Sequence, residues 1–299
     1  MQPRLEPVDP AHPGRFVPMS AMAVWVDGRM ADPDQPHLRA DDHGVIVGDG
    51  VFETLMVLRG DEGAAAFAVQ RHLDRLRRSA RILRFECPYS DEELRAAITQ
   101  CLDAAPEAGI VRITATSGGG PLGSGRSGAP PSTIVIAGNR PPDYPPGTAV
   151  AVVPFVRNER GGMAGVKTTS YAENVLALDM ARERGASEAI FADTRGRVSE
   201  GTGSNIFWSD GERLHTPPLD TGCLAGVTRA LLLEHLDISE THLPVVDLPG
   251  VPEAFLASST RTVQSIARID DTELPVVNGP LTAEAWRMMA GLIATDIDP

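Results

Sequence analysis

Hydrophobic and polar residues alternate along the first half of the chain in a pattern that predicts short strands and two helices. Residues 71–83 carry apolar side chains at helical spacing. Ser90 with Glu93 forms a capping-box pattern that begins a second helix. Apolar runs predict strands at residues 23–26, 53–58, 111–116 and 133–137. The pattern therefore predicts a small α/β block over residues 21–138.

The second half has a different pattern, with more strands and three separated helices. Strands are predicted at residues 149–155, 188–192, 205–208 and 254–257, and helices at 173–184, 228–236 and 282–294. Asp210-Gly211 is a hairpin-turn dipeptide that precedes Leu214. We therefore expect a larger domain over residues 148–299 and an overall mixed α/β (α+β) fold in two unlike halves.

Two proline-rich segments lie outside these blocks. Residues 1–20 contain many prolines and no apolar signal core, so we expect a mobile N-terminal tail. Residues 139–147 read NRPPDYPPG, which is typical of a stiff polar linker. The sequence thus predicts two domains joined by this linker.

Charge and cysteine content narrow the range of functions. The net charge of -13 provides no basic surplus for binding nucleic acid. No apolar run approaches the length of a membrane span. The cysteines, at positions 87, 101 and 223, are odd in number and lack metal-ligand spacing, so we expect no metal site. We expect a cytoplasmic protein with small-molecule partners.

Lysine usage is the most informative part of the composition. Of 27 basic residues only Lys167 is a lysine, and the other 26 are arginines. A coding bias toward arginine explains the missing lysines, but it does not explain the one that remains. An arginine guanidinium stays protonated and is a poor imine-forming nucleophile, whereas a lysine amine is a good one. Composition alone therefore leaves two readings of Lys167 open, a chemical role for its amine and a solvated loop lysine.

Pyridoxal 5′-phosphate (PLP) is a cofactor that such an amine holds as a Schiff base. A protein that binds it also supplies an anion opposite the ring nitrogen, a phosphate site and a wall for the ring. Glu200, in RGRVSEGTGSNIF, leads into a predicted strand and could face inward. An isolated glutamate is more often a surface residue, so this assignment depends on the other groups.

A phosphate site is indicated by LAGVTRALLLEHL. Gly226 and Val227 open a helix whose first backbone N–H groups are free, and Thr228 adds a hydroxyl group. Arg75 in HLDRL and Thr260 in ASSTR are candidates for further hydrogen bonds to an anion. Each feature alone also fits an ordinary helix start or a solvent-facing side chain.

Taken in order, these segments resemble the class IV (fold type IV) PLP enzymes. That group contains branched-chain aminotransferases, D-amino-acid aminotransferases and 4-amino-4-deoxychorismate lyases. The motifs that carry the resemblance are GDGVFET, RHLDRL, VKTTSYAENVLA, DTRGRVSEGTGSNIF, GCLAGVTR and FLASSTR. The resemblance implies a small N-terminal α/β domain, a larger pseudo-barrel domain, a cleft between them and a homodimer.

The resemblance also implies roles for individual residues. Lys167 matches the Schiff-base lysine and Glu200 the partner of the pyridine nitrogen. Leu224 matches the residue that packs on the ring face. Tyr171 matches a tyrosine near the phenolic oxygen, at an offset from the lysine that is one residue shorter than in some branched-chain enzymes. The phosphate-binding positions of the family correspond to Arg75, Val227, Thr228 and Thr260.

The residues that recognise substrate depart from the family's patterns. Phe52 stands where D-amino-acid aminotransferases carry a tyrosine, and Val47 replaces a tyrosine of branched-chain enzymes. The loop 117–128 lacks the arginine and histidine pair of the D-amino-acid enzymes, and its one cation is Arg126. Arg126 either anchors the substrate carboxylate or faces water. Arg112, on the preceding predicted strand, is the competing anchor.

These observations favour a transaminase that moves an amino group between an amino acid or similar primary amine and a 2-keto acid. A 4-amino-4-deoxychorismate lyase, which forms 4-aminobenzoate and pyruvate, is the close alternative because both reactions begin with loss of a proton from the substrate α-carbon. A catalytically inactive homologue that only binds PLP is a third reading, and the intact Lys167, Glu200 and Thr228 argue against it.

Overall fold

The computed structural model describes residues 22–60, 63–139 and 144–299. The tail expected at residues 1–20 lies outside the described residues, as do residues 140–143 of the expected linker. The domain boundaries at this linker therefore stay a prediction. No helix in the described ranges is long and apolar enough to cross a membrane.

A six-stranded antiparallel sheet forms the first half, with the strand order β2-β1-β6-β5-β3-β4. Its strands are β1 (Ala23–Val26), β2 (Arg29–Ala31), β3 (Gly50–Gly60), β4 (Gly63–Ala66), β5 (Ile110–Thr116) and β6 (Ser132–Gly138). Its helices are α1 (His43–Ile46), α2 (Val69–Ile82) and α3 (Asp91–Ala104). The predicted capping box is confirmed, because Ser90 and Glu93 each accept a hydrogen bond from the other's backbone N–H.

The core of this half lies between one face of the sheet and helices α2 and α3. Leu73 and Leu76 on α2 and Leu94 on α3 are fully buried against the sheet residues Val111 and Ile113. Apolar side chains at i, i+3 and i+4 spacing place one face of each helix on the sheet. The opposite face of α2 carries arginines, and this charged helix also reaches the cleft described below.

The second half contains a nine-stranded mixed sheet with the order β12-β11-β10-β13-β14-β7-β8-β9, and β15 pairs with β14. Its strands are β7 (Gly147–Arg157), β8 (Glu188–Asp193), β9 (Val198–Gly201), β10 (Asn205–Ser209), β11 (Leu214–Thr216), β12 (Ile238–Glu240), β13 (Ala254–Ser258), β14 (Thr262–Ile269) and β15 (Thr272–Glu273). Its helices are α4 (Ala172–Glu183), α5 (Val227–His235) and α6 (Pro280–Thr295).

This sheet curls back on itself. Strand β9 ends one side of the strand order, whereas β10 lies third from the other end. Only residues 202–204 connect them, and three residues span roughly 10 Å of extended chain. A short connection between such distant strands requires a strongly curved sheet, as the expected pseudo-barrel has.

Every strand and helix predicted from the hydrophobic pattern is present, with bounds that differ by a few residues. The pattern missed the central strand β14, because buried Gln264 and Ser265 interrupt its apolar run. It also missed the short strands β2, β4, β9, β12 and β15 and the one-turn helix α1. Glu200 therefore lies within a strand, β9, and not in a loop that leads into one.

Candidate active site

A cleft of about 560 Å³ lies between the two sheets. Strands β3 and β5 and helix α2 line it from the first half, and β9, the start of α5 and the loops around them line it from the second. This volume is within the usual range for a small-molecule site. The predicted site residues that line the cleft are Phe52, Arg75, Arg112, Lys167, Tyr171, Glu200, Leu224, Gly226, Val227, Thr228 and Thr260.

Lys167 reaches the cleft from the segment between β7 and α4. Gly165, two residues earlier, has φ +69°, a conformation that L side chains rarely adopt, and the chain turns there. The Nζ of Lys167 lies 4.5 Å from the centre of the Phe52 ring. Burial and the nearby Arg75 lower the pKa of Lys167 to about 8. At pH 7 roughly a tenth of this amine is therefore unprotonated and nucleophilic, far more than for an ordinary lysine.

The Glu200 carboxylate has a fixed orientation. Its Oε1 accepts a hydrogen bond of 3.0 Å from Nε of Arg157, and its Oε2 accepts one of 2.9 Å from the backbone N–H of Leu224. Burial raises the pKa of Glu200, while Arg157, the Leu224 N–H and Lys167 act in the opposite direction. Glu200 is therefore a largely buried carboxylate whose charge is stabilised by Arg157, the Leu224 N–H and Lys167.

The N-terminus of α5 opens into the same cleft. Gly226 is its N-cap and no side chain caps the helix, so the first backbone N–H groups have no partner within the helix. A Cβ at position 226 would lie 2.1 Å from Oδ1 of Asn205. Because Nδ2 of Asn205 donates to the Leu224 carbonyl, only glycine fits this turn without displacing that contact. Thr260 lies nearby, with its hydroxyl group 3.4 Å from that of Ser258.

Arg75 is held in the cleft by a residue that the sequence reasoning did not single out. Glu53 on β3 is fully buried and accepts two hydrogen bonds from the Arg75 guanidinium, at 2.8 and 2.6 Å. Nδ1 of His72 lies 2.7 Å from the same carboxylate. Burial alone would raise the pKa of Glu53, but Arg75 and His72 together lower it to about 2. Glu53 lies in GDGVFET, where a charged residue inside an apolar strand was the available signal.

We expect Glu53→Gln to destabilise the protein by about 3–5 kcal/mol at pH 7, because it leaves the Arg75 charge buried without a compensating carboxylate. Denaturant unfolding measures this change. The difference from wild type should be present above pH 4.5 and disappear as the pH falls toward 2, since protonation removes the same charge. Glu234→Gln, which breaks the more exposed ion pair of Glu234 with Arg71, is the control and should cost less than about 1 kcal/mol. Equal losses for the two variants would contradict this assignment.

Arg112 on β5 is a second cation in the cleft. Its guanidinium lies 3.7 Å from the centre of the Phe52 ring, and its Nε donates to the hydroxyl group of Thr114 at 3.3 Å. Burial lowers the pKa of Arg112. Within the described ranges it forms no ion pair with a carboxylate. Its positive charge is thus available to an anionic ligand.

Tyr171 and Leu224 complete the walls of the cleft. The Tyr171 ring meets the Phe52 ring edge to face, with ring centres 5.1 Å apart. Burial and the Glu200 charge raise the pKa of Tyr171 to about 12, so its phenol is a hydrogen-bond donor at neutral pH. Leu224 presents an apolar side chain next to the backbone group that holds Glu200.

The structure does not place Arg126 and Val47 in the cleft lining. Nε and Nη2 of Arg126 bind the Asp49 carboxylate at 2.7 and 2.6 Å, and its Nη groups also donate to the carbonyls of Leu83 and Arg84. Val47 is the C-cap residue that follows helix α1, and it is 44% exposed. Of the two arginines considered as substrate anchors, Arg112 is therefore the one that faces the cleft.

An amine, a buried carboxylate and the N-terminus of α5 share one cleft, an arrangement typical of an enzyme active site. Residues 50–269 match the family described as amino-transferase class IV, and the chain belongs to that family. The resemblance inferred from the six motifs is thereby confirmed.

Individual relatives carry different names within that family. The chain is 30% identical to a bifunctional aminodeoxychorismate lyase / D-amino acid transaminase of Mycobacterium tuberculosis over 280 residues, which cover 85% of this chain and 93% of that protein. It is 27% identical to an aminodeoxychorismate lyase of Bacillus subtilis, with 87% and 91% covered. Its fold is similar to that of a branched-chain aminotransferase from Thermoproteus uzoniensis, with a TM-score of 0.84 at 28% identity, covering 91% and 94% of the two chains. The expected fold type IV architecture is thus confirmed.

Proposed function

We propose that this protein is a PLP-dependent transaminase that moves an amino group between an amino acid or similar primary amine and a 2-keto acid. The observation that carries the proposal is the meeting of four groups in one cleft: the amine of Lys167, the carboxylate of Glu200, the guanidinium of Arg75 and the N-terminus of α5. These are the groups that a PLP site requires.

The residues of the cleft fit PLP in charge and in chemistry. Arg75 and the first N–H groups of α5 are cationic or partly positive and suit a phosphate. Thr228 and Thr260 add hydroxyl groups, and Leu224 offers an apolar surface for a ring. When bound, PLP supplies a ring that accepts the electrons released as a bond at the substrate α-carbon breaks.

The chain's own residues then have separate tasks. The amine of Lys167 would hold the cofactor, and a pKa of about 8 lets its Nζ take up or release a proton near neutral pH. The Glu200 carboxylate is held by Arg157 and Leu224 and would keep a proton on a ring nitrogen of the bound cofactor. The rings of Phe52 and Tyr171 exclude water beside the amine.

The lyase reaction is the second candidate, because relatives that the chain resembles carry both names. The two functions are separated by loading the protein with PLP and supplying one substrate at a time. A transaminase converts an amino acid and then a 2-keto acid in two half-reactions. A lyase releases pyruvate from 4-amino-4-deoxychorismate without a keto acid. We extend the proposal to a cytoplasmic homodimer, as expected from the family resemblance, and sedimentation of the purified protein tests the dimer.

For substrate binding we expect Arg112→Ala to weaken the binding of amino acids by about 1.5–3 kcal/mol, the usual contribution of a hydrogen bond to a charged group. The reason is that Arg112 is a cleft cation without a carboxylate partner among the described residues. Amines that lack a carboxylate should bind about as well as before. Half-reaction rates for an amino acid and its decarboxylated analogue measure the difference.

Arg126→Ala is the matched control for this prediction. Its guanidinium is bound to Asp49 and two backbone carbonyls, so its loss should affect both substrates equally. Selective loss of amino-acid binding in Arg126→Ala, with Arg112→Ala unaffected, would move the carboxylate anchor to the loop 117–128.

A further inference from the structure

Arg157 is the side chain that touches Glu200 most directly. It is the last residue of β7, and its Nε donates to Oε1 of Glu200 at 3.0 Å. The carboxylate side chain is only 12% exposed, so water does little to stabilise its charge. An ionised carboxylate in such a place needs a cation or several hydrogen bonds.

The guanidinium of Arg157 is itself held on three sides. Its Nη1 donates to Oδ1 of Asn174 at 3.0 Å and lies 3.3 Å from the carboxylate of Glu173. Its Cζ lies 4.0 Å from the centre of the fully buried Phe191 ring. These contacts from α4 and β8 hold the guanidinium while its Nε donates to Glu200.

Several other groups surround the Glu200 carboxylate. Lys167 and Arg157 are the cations that favour its ionised form, and the Leu224 N–H binds its other oxygen. Tyr171 and Cys223 are close enough for the Glu200 charge to raise their pKa values. Lys167 is the amine to which the proposed cofactor is attached. Arg157 is consequently the cation left to stabilise Glu200 during the reaction.

We propose that Arg157 is a positioning residue that keeps the Glu200 carboxylate ionised and aimed into the cleft. A buried carboxylate without this partner would have a higher proton affinity and would take the proton that it should leave on the ring nitrogen. This inference rests on the proposed function, since it assigns Arg157 a role only through Glu200.

The test is a double-mutant cycle with PLP-loaded protein. The first-half-reaction rate is measured in single turnover for wild type, Arg157→Gln, Glu200→Gln and the double variant. We expect Arg157→Gln to slow the reaction by about 10- to 100-fold in the wild-type background. In the Glu200→Gln background it should change the rate by less than about twofold. The absorbance spectrum of bound PLP in Arg157→Gln should shift toward that of Glu200→Gln at the same pH.

Arg160→Gln is the matched control, because Arg160 is a nearby arginine whose side chain is 74% exposed, and it should change neither rate nor spectrum. If Arg157→Gln folds poorly, Asn174→Ala removes one support of the guanidinium but keeps its charge. It should then give a smaller loss that also disappears in the Glu200→Gln background. Equal losses in both backgrounds, or an unchanged spectrum, would overturn the role of Arg157 while leaving the proposed function intact. A wild-type protein that does not bind PLP would instead overturn both.

Discussion

Lys167→Ala is expected to abolish turnover and the yellow colour of the PLP-loaded protein. The chain has no other lysine that could replace this amine. PLP should still bind, more weakly, because Arg75 and the start of α5 do not depend on Lys167. Single-turnover rates and the visible spectrum measure both effects.

Lys167→Arg is the matched control for this prediction. It keeps a positive charge in the cleft but offers a guanidinium in place of an amine, so it should be as inactive as Lys167→Ala. Activity in Lys167→Arg would mean that charge alone is required. A yellow, active Lys167→Ala protein would contradict the assignment of the lysine.

Glu200→Gln is expected to slow removal of the substrate α-proton by about two to three orders of magnitude, the usual effect of losing one preorganised electrostatic partner. The change is nearly isosteric, so the fold and the PLP content should remain close to those of wild type. The physical reason is that a neutral amide does not hold a proton on a ring nitrogen as a buried carboxylate does.

Glu107→Gln provides the comparison for Glu200. Glu107 pairs with Arg59, neither residue lines the cleft, and its side chain is 89% exposed, so its loss removes no buried charge. We expect its rate to stay within a few-fold of wild type. Unchanged single-turnover rates in Glu200→Gln would show that this carboxylate is not opposite the ring nitrogen.

The local elements of the fold could be predicted from the sequence, whereas the pairing of strands could not. The capping box at Ser90 and the apolar face of α2 depend on residues within one or two turns, so the local pattern reveals them. Strand β14 depends on neighbours that are distant in sequence, and its buried Gln264 hides it from a hydrophobic pattern. The curl of the second sheet follows from such long-range pairing.

The candidate site shows the same division. Composition singles out Lys167, and the order of the six motifs indicates Glu200 and the start of α5. The pairs Glu53–Arg75 and Arg157–Glu200 join residues 22 and 43 positions apart, and only the folded chain brings them together. For Arg126 the sequence was misleading. Its position in a glycine-rich loop suggested a cation free to bind substrate, but in the folded chain it forms an ion pair with Asp49.

Chemical labelling can locate the cofactor and so test whether Lys167 holds it. PLP-loaded protein is reduced with borohydride, digested and analysed by mass spectrometry for the pyridoxyl label. We expect the label on Lys167 within GVKTTSY, with no other lysine in the chain to compete for it. Protein that binds PLP but carries no label at Lys167 after reduction would show that this lysine does not hold the cofactor.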